Sequence, residues 1–145
     1  MPPPAFAARA YATIGLETGI AAASPHALIL MLYDAALKSI ADARGHLGAQ
    51  RIAEKGRAVS RAITIIEEGL VASLDERQGG EIAAQLRQLY EYMTPRLLVA
   101  SLRKDPAGFD EVAGLLADLR SAWVDVPRRA AATAPSRAGS VALAR

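Results

Sequence analysis

The chain has 145 residues, of which 52% are hydrophobic, 22% charged and 5% aromatic, and it contains no cysteine. This length suits one domain with a real core, and disulfides, cysteine nucleophiles and thiolate metal sites are excluded. Four of the 17 basic residues are arginines beyond Pro127, where no acid occurs, so 13 remain against 15 acidic residues in positions 1–126, a net charge of −2. An acidic body disfavours binding to the phosphate backbone of a nucleic acid.

No segment is predicted to enter a membrane. The longest strongly apolar run, Ala27–Tyr33, is much shorter than the roughly 20 residues that a transmembrane helix needs. The N-terminus has no basic region followed by an apolar region, the arrangement of a secretory signal. We therefore expect a cytoplasmic protein.

Four helices are predicted, because no segment shows the sustained alternation of a half-buried strand. The first begins at Ser24-Pro25, with serine as the N-cap and proline at the first helical position. Pro127 should end the fourth helix, and Pro95 should bend the third without dividing it. The predicted ranges are about 24–47, 51–74, 81–102 and 105–126.

Apolar residues at alternating spacings of three and four form a seam along each of the last three helices. These seams are Ile52, Val59, Ile63, Ile66, Leu70 and Leu74; Ile82, Leu86, Leu89, Met93 and Leu97; and Phe109, Val112, Leu116, Leu119, Trp123 and Val126. Such stripes pack at shallow angles, and short connections make neighbouring helices antiparallel. The sequence predicts an all-α, antiparallel up-down four-helix bundle over residues 24–126. We expect residues 1–23 to form a partly flexible, mobile N-terminal arm and residues 127–145 to form a disordered tail rich in arginine and alanine.

The first helix carries more apolar residues than one core face uses. Its predicted core face is Ile29, Leu32 or Tyr33, Ala36, Ile40, Ala43 and Leu47. Outside the core faces lie Leu28, Met31 and Ala35 on the first helix, Ala58, Ala62 and Ile65 on the second, and Tyr92 on the third. Exposed apolar patches mark partner sites, and a helix-in-groove mode of recognition suits them. A central helix that is buried nearly all round would explain the same surplus on the first helix.

No catalytic constellation is predicted. The seams contain no charged residue, and the only histidines are His26, expected to be solvated, and His46, near a helix C-terminus. The Glu-x-x-His motif of a di-metal bundle is absent. We therefore predict no catalytic residue, no metal and no cofactor.

The order and spacing of several segments resemble the flagellar secretion chaperone FliS family over about residues 11–126. The matching segments are Ala23–Leu37, Gly79–Ala83, Leu89–Met93, Arg96-Leu97, Asp110–Leu116 and Leu119–Trp123. The resemblance implies a helical bundle that binds the C-terminal segment of unpolymerised flagellin in the cytoplasm. Such binding prevents premature filament assembly and delivers the subunit to the flagellar type III export gate. The sequence departs from the family pattern at Ala35, where glycine is usual, at Thr94-Pro95, where Asn/Leu-Arg is usual, and at Val99–Ser101, where Glu-Ala-Asn is usual.

The N-terminal segment is similar to the family's mobile arm, which can cover a client groove when the chaperone is empty, and Tyr11, Ile14 and Leu16 match that arm. Together with the off-seam residues, the predicted client-binding set is Tyr11, Ile14, Leu16, Leu28, Met31, Ala35, Ala58, Ala62, Ile65 and Tyr92. Two alternatives are a self-associating structural or regulatory bundle and an all-helical mutase that surrounds a dianionic substrate with Arg and Lys. The uncharged seams argue against the mutase.

Overall fold

The computed structural model describes residues 24–132, and side chains over residues 24–126. This part of the chain is all-α: α1 (Pro25–Gly48), α2 (Ile52–Thr64, continued by a π-helical segment, Ile65–Val71), α3 (Glu76–Arg103) and α4 (Pro106–Ala132). His26 near the start of α1 contacts Trp123 late in α4, whereas Arg44 near the end of α1 pairs with Asp110 early in α4. The two helices are therefore antiparallel, and the predicted helical bundle is confirmed. The predicted arm lies outside the described residues, as does the tail from residue 133 onward.

The start of helix α1 is set by its capping residue and by the proline that follows it. Ser24 is the N-cap, its side-chain oxygen accepts a hydrogen bond of 3.1 Å from the Ala27 N–H, and Pro25 fills the first helical position. The helix then packs a broad face against its neighbours. Its buried residues are Leu28, Leu32, Tyr33, Ala35, Ala36, Ser39, Ile40 and Ala43. Asp34, Lys38 and Ala41 form an exposed stripe, so the helix is not buried all round. The prediction that Leu28 and Ala35 form an outer flank is nevertheless wrong, because both are buried.

The second helix changes its winding at Ile65, which the seam pattern did not predict. In the π-helical segment, hydrogen bonds span one residue more than in an α-helix, so Ile65 and Ile66 are both buried. Gly69 lies against α1, where a Cβ atom would meet Leu32 Cδ2 at 2.7 Å. Gly69 therefore permits a close approach between α1 and α2.

The predicted seam of α2 is confirmed except at its first residue, since Val59, Ile66 and Leu70 are buried and Ile63 and Leu74 pack against the core. Lys55, Val59 and Ala62 are the buried residues of its α-helical part, whereas Ile52 is 66% exposed. The outward assignments of Ala62 and Ile65 are wrong, because both are completely buried. An amphipathic stripe read with a fixed α-helical period cannot anticipate the change of winding that follows.

Helix α3 is interrupted at Gly80 and not at Pro95. Asp75 caps its first turn by accepting from the backbone of Arg77 and Gln78, and Gly80 then adopts φ 56° and ψ −129°, outside the helical region. A positive φ is tolerated there because glycine has no Cβ atom. Beyond Gly80 the helix continues through Pro95 to Arg103 as one element, as the sequence predicted.

Helix α4 buries Phe109, Val112 and Leu116 completely, as its seam predicted. The predicted end at Val126 is wrong, because the helix continues through Pro127 to Ala132. Pro127 has no N–H to donate to the carbonyl of Trp123, four residues earlier. That carbonyl instead accepts a hydrogen bond of 2.7 Å from His26 Nε2, so the helix loses one internal bond without leaving its acceptor unpaired.

Candidate partner-binding surface

The ten predicted client-binding residues differ in position and burial in the structure. Tyr11, Ile14 and Leu16 lie outside the described residues. The remaining seven fall into three groups: buried in the core (Leu28, Ala35, Ala62 and Ile65), half-buried against it (Met31 and Ala58), and exposed (Tyr92). The structure therefore does not bring the predicted residues together as one open surface.

The exposed apolar residues of the bundle are concentrated on the C-terminal half of α3. We call Tyr92, Leu98, Val99 and Leu102 the α3 surface; Leu98 is 50% and Leu102 is 75% exposed. Leu98 and Leu102 are one helical turn apart, and Tyr92 and Val99 are two turns apart, so each pair shares a helix face. The signal was visible in the sequence, since Leu98 and Val99 lie off the predicted seam. Leu102 was missed because it falls at the predicted helix end.

A polar network fixes the tyrosine of this surface. The Tyr92 hydroxyl donates to Glu111 Oε2 at 2.5 Å, and Arg96 Nε donates to Glu111 Oε1 at 2.7 Å. Two hydrogen bonds, a larger contribution from Tyr92 and a smaller one from Arg96, lower the pKa of the Glu111 carboxyl group below its ordinary value. Glu111 is thus a carboxylate at neutral pH that joins α4 to α3 and limits the rotation of the Tyr92 ring.

His26 and Trp123 link the start of α1 to the C-terminal part of α4. His26 Nε2–H donates to the Trp123 carbonyl, Trp123 Nε1–H donates to the His26 carbonyl at 3.0 Å, and the two rings stack with centroids 5.0 Å apart. The expectation of a solvated His26 is therefore wrong. Because residues 1–23 precede this link, it fixes the point from which the predicted arm leaves the bundle.

The described residues offer a surface for binding and no evident reaction centre. No group of three or more His, Asp or Glu side chains among them could hold a metal ion. Across the same part of the chain, no helix combines the length and apolar character needed to cross a membrane. What the arrangement can do is cover apolar side chains of a partner with those of α3.

Comparison with known proteins identifies a family for this fold and surface. Residues 7–130 match the family model described as Flagellar protein FliS. The chain is 45% identical over 122 residues to the Flagellar secretion chaperone FliS of Salmonella typhimurium, covering 84% of this chain and 90% of that protein. It is 40% identical over 117 residues to the Flagellar secretion chaperone FliSB of Pseudomonas aeruginosa, covering 81% and 92%. It is also 40% identical over 115 residues to the Flagellar secretion chaperone FliS of Escherichia coli, covering 79% of this chain and 85% of that protein.

Proposed function

The chain belongs to the FliS family, and we propose that it is a cytoplasmic export chaperone for flagellin. In this proposal it binds the C-terminal segment of unpolymerised flagellin, prevents premature polymerisation and delivers the subunit to the flagellar type III export apparatus. The related proteins are named secretion chaperones, which agrees with the prediction of a non-enzymatic protein.

The observation that carries the proposal is the α3 surface. Large apolar side chains cost little when they are scattered over a surface, but a contiguous group marks a site that a partner covers. Leu98, Val99 and Leu102 occupy adjoining positions at one end of α3. An amphipathic helix of a client can bury its apolar face against such a group.

The size of this surface indicates that the client also uses other contacts. Covering the exposed parts of four side chains contributes on the order of several kcal/mol, at about 25 cal/mol per Å² of apolar surface. Ordering a disordered segment costs about 2–5 kcal/mol or more, so the α3 surface alone barely offsets that cost. Tight binding therefore requires further contacts, for which Tyr11, Ile14 and Leu16 of the arm remain a prediction.

The predicted residues on α1 and α2 differ in how much of each side chain a client could reach. Met31 and Ala58 are half-buried and pack against the core, and a client could cover the part that remains exposed. Leu28 and Ile65 are fully enclosed, so in the proposal they hold α1 and α2 in place and do not touch the client.

Calorimetric titration of the full chain with the C-terminal segment of its own organism's flagellin tests the proposal. We expect saturable one-to-one binding, a negative heat-capacity change and a gain of helix in the peptide. The double variant Leu98→Asp/Leu102→Asp should weaken binding by about tenfold or more, because it places two charges where apolar contact is expected. The matched control, Leu98→Met/Leu102→Met, keeps apolar side chains of similar volume and should retain the affinity.

Sedimentation of the same proteins separates the proposal from self-association. A bundle that pairs through its α3 surface sediments as a dimer without any peptide, and the aspartate variant becomes monomeric. Equal peptide affinities of the aspartate and methionine variants, with both folded by circular dichroism, would remove the α3 surface from client binding.

A further inference from the structure

A basic cavity lies where the end of α1, the start of α2 and the end of α3 meet. Its volume is about 350 Å³. The lining side chains that matter are His46 and Leu47 from α1, Arg51, Ile52 and Lys55 at the start of α2, and Lys104 after α3. Three of these carry a full positive charge, and no acidic residue lines the cavity.

Lys55 is the unusual member of this group, because it is a buried cation without a counter-ion. Only 6% of the residue is exposed, and its ammonium donates one hydrogen bond, of 2.8 Å, to the Ser101 carbonyl. Among residues 24–126 no carboxylate lies within ion-pairing distance of Nζ. Buried ammonium groups are rarely left unpaired, and this one has two further N–H groups to donate.

The backbone adds positive potential at the same place. Arg51 is the N-cap of α2 and makes no side-chain hydrogen bond to the helix, so the first amides of α2 have no side-chain acceptor at their end of the helix dipole. Glu54 is the acidic residue of that first turn, but it is exposed and does not line the cavity. His46 forms part of the wall, and its Nδ1 is buried without a hydrogen-bond partner in the described structure.

The surroundings of these charges favour a protein segment over a free anion. Ile52, at the edge of the cavity, is 66% exposed, and Leu47 supplies a second apolar contact. Lys104 lines the cavity two residues after Leu102, so the cavity and the α3 surface both lie at the C-terminal end of α3.

We propose that this basic cavity binds an acidic side chain of a partner-protein segment whose neighbouring residues are apolar. The carboxylate pairs with the Lys55 ammonium and with Arg51 and Lys104, while the apolar neighbours cover Ile52. The proposal does not require that the segment come from flagellin, so failure of the flagellin titration leaves it standing.

A nuclear magnetic resonance titration of the full ¹⁵N-labelled chain tests the site with defined probes. The probes are an acetylated, amidated Leu-Glu-Glu-Leu peptide, its neutral counterpart Leu-Gln-Gln-Leu, and inorganic phosphate, all at one ionic strength. We expect the acidic peptide to shift the amides of Arg51, Ile52 and Lys104 saturably, with an affinity at least about tenfold above that of the neutral peptide. Equal shifts by both peptides, or none at these amides, would overturn the proposal. Saturation by phosphate at lower concentration than by the acidic peptide would also overturn it, in favour of a small-anion site.

Substitutions separate the cavity from general electrostatic attraction. Arg51→Gln/Lys104→Gln should weaken binding of the acidic peptide by about tenfold. The control Arg57→Gln/Arg77→Gln removes the same number of exposed cations outside the cavity and should change the affinity less than about twofold. Equal losses from the two variants would reduce the binding to net charge and contradict the proposed site. Lys55→Met should abolish the preference for the acidic peptide, and Arg51→Gln/Lys104→Gln gives the answer if that protein does not fold.

Discussion

The hydrogen-bonded pair of Tyr33 and Tyr90 should make the stability of the bundle depend on alkaline pH. Their hydroxyl oxygens are 2.6 Å apart, and the side chains, from α1 and α3, are 3% and 2% exposed. Burial is the largest cause of a raised pKa at both phenols. The hydrogen bond lowers the pKa of Tyr33 and raises that of Tyr90, so the two groups titrate as a coupled pair.

The direction of this pH dependence follows from the number of protons that the folded and unfolded chains bind. Unfolded tyrosine has a pKa near 10, so above that pH the unfolded chain loses protons that the folded chain keeps. The contribution of the pair is complete below pH 10 and decreases as the pH rises further. A tyrosine that stays protonated in the folded chain reduces the free energy of unfolding by at most about 1.4 kcal/mol per pH unit in that range.

Substitution with phenylalanine isolates this effect. Tyr90→Phe should cost about 1–3 kcal/mol at neutral pH, because it leaves the Tyr33 hydroxyl buried without a partner. Tyr33→Phe/Tyr90→Phe removes both polar groups and should cost less than the sum of the two single changes. Above pH 10 the double variant should lose less stability than the unsubstituted chain, since it lacks both titrating groups.

Urea unfolding followed by circular dichroism, at a series of pH values from neutral to alkaline, measures all four proteins of this cycle. Tyr92 is retained in each of them, so its own titration cancels from the comparison. Parallel pH profiles for the unsubstituted chain and the double variant would refute the reasoning, and so would additive single costs at neutral pH.

Two further substitutions test the packing. Gly69→Ala should destabilise the bundle by about 1–3 kcal/mol in urea unfolding, because the added Cβ atom would lie 2.7 Å from Leu32 Cδ2. In the matched control, Gly56→Ala, the added Cβ atom meets no atom within 4 Å, so this change should stabilise the bundle by about 0.5–1 kcal/mol. Similar effects of the two alanines would mean that the close approach of α1 is not tight. Trp123→Phe removes the N–H that donates to the His26 carbonyl and should cost about 1 kcal/mol, with faster amide hydrogen exchange in the first turns of α1; unchanged exchange there would show that the contact does not hold this helix end.

Features that depend on neighbouring residues in the chain were predictable from the sequence. Ser24 and Pro25 specify the start of α1 through a side-chain cap and a fixed φ angle. The α4 seam is regular over two turns from Phe109 to Leu116, and Phe109, Val112 and Leu116 are buried as predicted. In both cases the signal and the structure lie within one helix, so no knowledge of the other helices is needed.

Features that depend on contacts between helices were not predictable. Tyr90 lies off the α3 seam and is buried because its hydroxyl group pairs with Tyr33, 57 residues earlier. Lys55 faces inward although Ile52 is the more apolar residue, because the Ser101 carbonyl at the end of α3 accepts from its ammonium. Neither partner can be identified until the helices are placed against one another.

The candidate site shows the same division between local and long-range information. The apolar surplus was correctly identified, but its position relative to solvent was not, because Leu28 and Ile65 are enclosed by neighbouring helices. Leu98 and Val99 remained exposed for the opposite reason, since α3 presents them away from the core. An excess of apolar residues thus predicts that a helix has more than one covered face, and the packing decides whether the cover comes from the same chain.

The stacked contact of Trp123 with His26 gives the molecule an intrinsic optical reporter. Trp123 is the only tryptophan in the sequence, and its indole lies parallel to within 12° of an imidazole at the start of α1. Indole emission from this chain therefore originates at one known place, beside His26 at the start of α1. A change in its intensity or wavelength when a partner binds reports on that contact without any added label.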